Sequence, residues 1–105
     1  TASDIKDLTL TFRGTEIGAE FALYQNEPNP FKGNTSIGYD LPAAGNVVLT
    51  VFDVTGKVVL VKEQVSVKGY NTITISSKDM SSVGVMYYRL DADEYTATKK
   101  MIIIE

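Results

Sequence analysis

A chain of 105 residues, 44% apolar and 22% charged, has the size and balance of one globular domain, and no apolar run approaches the roughly 20 residues of a membrane-spanning helix. It contains neither Cys nor His, which excludes disulfides, thiolate nucleophiles and Cys-based zinc sites, and removes the commonest general base near neutral pH. Ten basic residues stand against thirteen acidic ones for a net charge of -3, and they are scattered apart from Lys99-Lys100, which disfavours a nucleic-acid surface.

Segments of about 5 to 10 residues with strand character, separated by Gly, Pro, Asn and Asp, recur along the whole length, and no segment sustains a helical period. Leu8, Leu10 and Phe12 alternate with Thr9, Thr11 and Arg13, which predicts a first strand. Residues 1–20 are expected to be a leading edge strand or the end of a preceding module, and 21–105 the domain proper. A short strand around Glu20 to Tyr24 runs into Gln25-Asn26-Glu27-Pro28-Asn29-Pro30-Phe31, where two prolines fix φ and remove backbone donors, so this stretch is predicted to be a loop.

Ile37, Tyr39 and Leu41 form the next alternating set, and Pro42 to Asn46 supply a turn before a strand over Val47 to Val54. Val47, Leu49 and Val51 are expected in the core. Asp53-Val54-Thr55-Gly56-Lys57 predicts a bulged hairpin, with Gly56 at the position that needs φ > 0. Gly69 marks the next reversal, followed by Ile73 and Ile75 in alternation. Ser76 to Val83 is long enough for one turn of 3₁₀ or α structure. From Gly84 the chain resumes with Met86, Tyr88 and Leu90 alternating, and Asp91-Ala92-Asp93-Glu94 turns it into a final strand, Tyr95 to Ile104. The simplest architecture is an all-β, immunoglobulin-like antiparallel β-sandwich of about seven strands, without the Cys-Trp-Cys core of antibody domains. The chain begins at Thr1 with no charged-then-apolar leader, and is expected to be a fragment or a processed part of a longer protein.

Few groupings of residues suggest chemistry. Asp91, Asp93 and Glu94 offer oxygen ligands of the kind calcium favours, but their spacing lacks the logic of a calcium loop and is that of a hairpin turn. Lys78 among Ser76, Ser77, Ser81 and Ser82 has the residue types of a Ser–Lys dyad; such a dyad needs a buried lysine, and this segment reads as an exposed loop. No catalytic residue, cofactor or metal site is predicted. Of the six tyrosines, Tyr39 and Tyr88 fall in register with core positions. Tyr87 and Tyr95 are the surface candidates for stacking on a glycan, or alternatively cross-strand partners. The tail Lys99-Lys100-Met101-Ile102-Ile103-Ile104-Glu105 combines a terminal strand with an edge or end that a receptor can read. An apolar last strand also suggests an edge-to-edge homodimer.

Four motifs stand together in a recognisable order. They are Leu23-Tyr24-Gln25-Asn26-Glu27-Pro28-Asn29-Pro30-Phe31, Tyr39-Asp40-Leu41-Pro42-Ala43-Ala44-Gly45, Val51-Phe52-Asp53-Val54-Thr55-Gly56-Lys57-Val58, and Gly84 to Leu90 with Thr98-Lys99-Lys100-Met101. From about Phe21 to Glu105 the chain resembles the C-terminal sorting domains of the type IX (Por) secretion system. That resemblance implies a cargo tail that is substrate rather than catalyst, continuous with an upstream cargo domain. Such cargo passes through the periplasm, is recognised by an outer-membrane translocon and processed by a sortase-like peptidase, and ends secreted or on the outer-membrane surface. Carried over residue by residue, Gly84, Tyr88, Lys99, Lys100, Met101, Ile102, Ile103 and Ile104 correspond to the translocon signal. Many members have Gly, an aliphatic residue and then Tyr, whereas here Gly84-Val85 is followed by Met86. The second reading is an immunoglobulin-like accessory module of a secreted enzyme or adhesin that binds glycan through Tyr87 and Tyr95.

Overall fold

The computed structural model describes residues 20–80 and 82–105. The strand expected over Leu8 to Arg13 lies outside the described residues. The remaining strands are β1 (Ala22–Leu23), β2 (Asn34–Leu41), β3 (Gly45–Asp53), β4 (Val58–Ser66), β5 (Gly69–Ser76), β6 (Gly84–Ala92) and β7 (Tyr95–Ile103), with one 3₁₀ turn at Ser77–Asp79. They form two antiparallel sheets ordered β1-β2-β5 and β4-β3-β6-β7. This is an immunoglobulin-like sandwich whose fourth strand lies beside the third rather than on the opposite sheet.

Period-two alternation builds the core. Ile37, Tyr39 and Leu41 of β2 and Ile73 and Ile75 of β5 project from one sheet. Val47, Leu49 and Val51 of β3, Met86, Tyr88 and Leu90 of β6, and Met101 and Ile103 of β7 meet them from the other. These side chains are buried and form one cluster with Phe31, Leu23 and Met80, the single core a domain of this size needs.

β4 departs from this scheme for a physical reason. Its residues opposite Val51, Leu49, Val47 and Gly45 are Leu60, Lys62, Gln64 and Ser66, so three of the four inward positions are polar. The Lys62 ammonium donates to the Thr74 carbonyl (2.9 Å) and the Gln64 amide to the Thr72 carbonyl (3.0 Å). Side chains from the edge of one sheet thus satisfy carbonyls on the edge of the other, one way a sandwich blunts an exposed strand edge. Tyr39 adds a buried tie: its hydroxyl accepts from Gln64 (2.8 Å) and shares a hydrogen bond with Ser66 (2.6 Å).

The β3–β4 hairpin closes as the spacing predicts. Gly56 has φ +91, and the register slips by one residue between Val51 and Phe52, the signature of a bulge. The Asp53 carboxylate organises the turn, accepting from the Thr55 hydroxyl (2.6 Å), the Thr55 N–H (2.9 Å) and the Lys57 N–H (3.0 Å). The Thr55 side-chain bond, aided by the Lys57 and Thr55 backbone bonds, holds its carboxyl below the ordinary carboxylate value. A depressed folded-state pKa gives stability that is complete above the unfolded value near 3.8 and lost as the pH falls through the folded one. Asp53→Asn is therefore expected to flatten the acid limb of the stability curve below about pH 4, measured as urea midpoint against pH.

Candidate functional site

The residues singled out for recognition converge on β6, β7 and the Gln25–Phe31 loop. β7 pairs with β6 along its whole length, from Ala92↔Tyr95 to Gly84↔Ile103. Its odd-numbered residues from Ala97 to Ile103 share the core face with Tyr88 and Met86, and its even-numbered residues share the solvent face with Tyr87 and Val85. The eight candidate signal residues therefore divide. Tyr88, Met101 and Ile103 are buried. Lys99 is half-buried at the sheet margin opposite Tyr88. Lys100, Ile102 and Ile104 lie on the outer face, with Ile104 47% exposed. Gly84 has φ +106, a conformation that L side chains adopt only with strain, so this glycine sets how β6 begins.

The predicted loop is a clamp on the end of β7. Phe31 is buried and forms a parallel bridge with Ile103. Its N–H donates to the Ile102 carbonyl (3.0 Å) and its carbonyl accepts from the Ile104 N–H (2.9 Å). The Asn29 side-chain oxygen accepts from the Ile102 N–H (3.0 Å), and the Gln25 amide donates to the Lys100 carbonyl (2.7 Å). The outer backbone edge of β7 is thus occupied from Lys100 to Ile104.

Asn26, itself buried, holds the clamp in shape. Its amide donates to the Pro28 carbonyl and to the Thr35 hydroxyl, both at 3.1 Å. The Glu27–Pro28 and Asn29–Pro30 peptide bonds are cis. The Tyr88 hydroxyl locks the loop to β6, accepting from the Asn26 N–H (2.9 Å) and donating to the Tyr24 carbonyl (2.7 Å). Sequence reasoning recognised this segment as a loop but missed its role, because its partners lie 62 to 75 residues away.

The glycan candidates sit against phenylalanines. Tyr87 lies across the strands from Phe52 and stacks on it with ring centroids 6.0 Å apart, and Tyr95 stacks on Phe21 at 5.2 Å. Each presents one face to a neighbour, as cross-strand partners do. Asp91 pairs with Arg89 at 3.0 Å, Asp93 takes the turn conformation at φ +56, and no three acidic side chains converge among the described residues. Lys78 is exposed.

Residues 27–104 match the family model of the secretion system C-terminal sorting domain. The chain belongs to that family. Its members are sorting signals for type IX secretion, a role that is typically non-catalytic, so this sorting domain marks an exported protein that is secreted or held at the cell surface. No curated protein of matching sequence was found. A solved beta-glucosidase from Listeria innocua is similar at 12% identity and a TM-score of 0.45, over 81% of this chain and 16% of that one, a level that bears on neither fold nor activity.

Proposed function

We propose that the export machinery reads this sorting domain as a folded unit, through the outward side chains of the last strand. The observation that carries this is the clamp: with the β7 backbone edge taken from Lys100 to Ile104, strand addition there has no free partners. What is left to read is the solvent face, where Ile102 lies beside Val85 and Lys100 beside Tyr87. Lys100, Ile102 and Ile104 are then the contact residues. Gly84, Tyr88, Lys99, Met101 and Ile103 act by holding that strand in register. A receptor serving many unrelated cargoes has to read the shared module, and rigid side chains in a fixed register give it specificity at low entropic cost.

In this reading the domain has no catalytic activity and needs no cofactor. Its partners are an outer-membrane translocon, a sortase-like peptidase and the cargo domain upstream, reached by way of the periplasm. A homodimer through β7 is confined to the strand's first half, Thr96 to Lys100. The test is localisation of a periplasm-directed reporter carrying the 105-residue chain at its C-terminus. Surface delivery is expected in a host with a type IX system and periplasmic retention when that system is deleted. Delivery that does not depend on the system contradicts the reading.

A further inference from the structure

We propose that the cleft between Tyr24 and Tyr70, on the outer face of the three-stranded sheet, binds an organic cation, the guanidinium or alkylammonium group of a ligand. The site lies on the sheet opposite β7 and does not rest on the sorting reading.

The two rings are unlike the domain's other aromatic pairs. Phe21–Tyr95 and Phe52–Tyr87 are stacked, at 14° and 24° from parallel, each covering the other's face. Tyr24 and Tyr70 are splayed at 47° with centroids 6.1 Å apart, and remain 42% and 64% exposed. Gly38 forms the floor beneath Tyr70. A Cβ there would lie 2.5 Å from the Tyr70 hydroxyl, and glycine inside a strand often marks such a close approach. Covering Gly38 accounts for one side of Tyr70. It does not account for the open face of Tyr24 or for the polar groups around the cleft.

Those polar groups decide the ligand class. The depression holds about 360 Å³ and is lined by Tyr24, Gln25, Glu27, Ser36, Gly38 and Tyr70, a volume within the roughly 300–1,000 Å³ of small-molecule sites. The Glu27 carboxylate has no hydrogen-bond or ion-pair partner among the described residues. Asp40, outside the lining, accepts the Tyr24 hydroxyl. The Gln25 amide N–H groups are committed to Asn26 and Lys100, which leaves its oxygen. The Ser36 hydroxyl is shared with Thr74. The cleft therefore offers the Glu27 carboxylate, an amide oxygen and two π faces, and among the described residues no lysine or arginine lines it. Guanidinium and ammonium groups are donors with no acceptor, and their charge is attracted to aromatic faces and carboxylates alike. A neutral sugar needs donors as well as acceptors, and finds few uncommitted ones here.

The experiment is an NMR titration of the intact ¹⁵N-labelled chain with acetyl-Gly-Arg-Gly-amide, its Lys and norleucine counterparts, choline and maltohexaose. Saturable shifts at Tyr24, Gly38 and Tyr70 with the Arg or Lys peptide point to a side chain of a partner polypeptide, and shifts with choline alone to a free cation; either supports the site. Tyr70→Ala and Glu27→Gln are each expected to weaken binding about tenfold or more. Glu27 is exposed, so Glu27→Gln tests the site without disturbing the fold. Absence of saturable shifts with all three cations overturns the proposal, as does an equal response to the norleucine peptide, a response to maltohexaose only, or binding unchanged in both variants.

Discussion

Tyr88→Ala is expected to leave the domain unfolded or nearly so. The ring is 0% exposed at the centre of the core, and removing a buried aromatic side chain costs about 3–5 kcal/mol out of a total that is about 5–15 kcal/mol for a domain. The loss is not confined to packing. The hydroxyl joins Asn26 and Tyr24, so the clamp on the last strand loses its tie to β6. Tyr88→Phe separates the two contributions: it keeps the ring and strands a backbone N–H and a carbonyl, at a cost of about 1–3 kcal/mol. Burial also pushes the Tyr88 phenol up to about 12 from an ordinary 10. A raised folded-state pKa gives stability that is complete below pH 10 and lost as the pH climbs toward 12. Urea midpoints for wild type and Tyr88→Phe are therefore expected to converge over that alkaline range, and a constant difference would contradict the assignment.

Deleting Met101 to Glu105 is expected to abolish cooperative folding. Met101 and Ile103 are core side chains, each worth about 2–5 kcal/mol on truncation to alanine, and Phe31 and Asn29 lose their backbone partners on Ile102 and Ile104. The sum is comparable with the whole stability of a small domain. Loss of the calorimetric transition in the truncated chain is the check. The consequence for function is that removing the chain end cannot by itself locate a recognition signal, because it removes the fold that presents the signal.

How much of this was legible depended on whether the information was local. Alternation placed Ile37, Tyr39, Leu41, Met86, Tyr88 and Leu90 in the core, since neighbours in sequence share the geometry of one strand. Gly56 and the turn residues around it announced a hairpin for the same reason. The hairpin implied β4 as a second strand without showing which way its residues face. Its valines Val58, Val61 and Val65 face solvent while Lys62 and Gln64 face inward, a reversal that makes sense only once β5 is known to lie opposite. The roles of the Asn26 backbone N–H and the Asn29 side chain were hidden likewise, because their partners, the Tyr88 hydroxyl and the Ile102 N–H, lie on strands far along the chain. Among the candidate signal residues, sequence order grouped Met101 to Ile104 as one apolar run, whereas the strand sends alternate members to opposite faces. Tyr24 and Tyr70 were missed because their proximity arises from the β1-β2-β5 pairing.

The most direct measurement of the central claim is surface delivery of a reporter fused to the chain carrying Ile102→Thr and Ile104→Thr. Both substitutions keep a β-branched residue suited to an extended chain; Ile102 falls on the solvent face of β7, and Ile104, just past its end, is 47% exposed. Thermal unfolding of the variant is expected to stay cooperative with a midpoint close to wild type, while the reporter accumulates in the periplasm. A folded variant delivered to the surface as efficiently as wild type would contradict recognition through the outer face of the last strand.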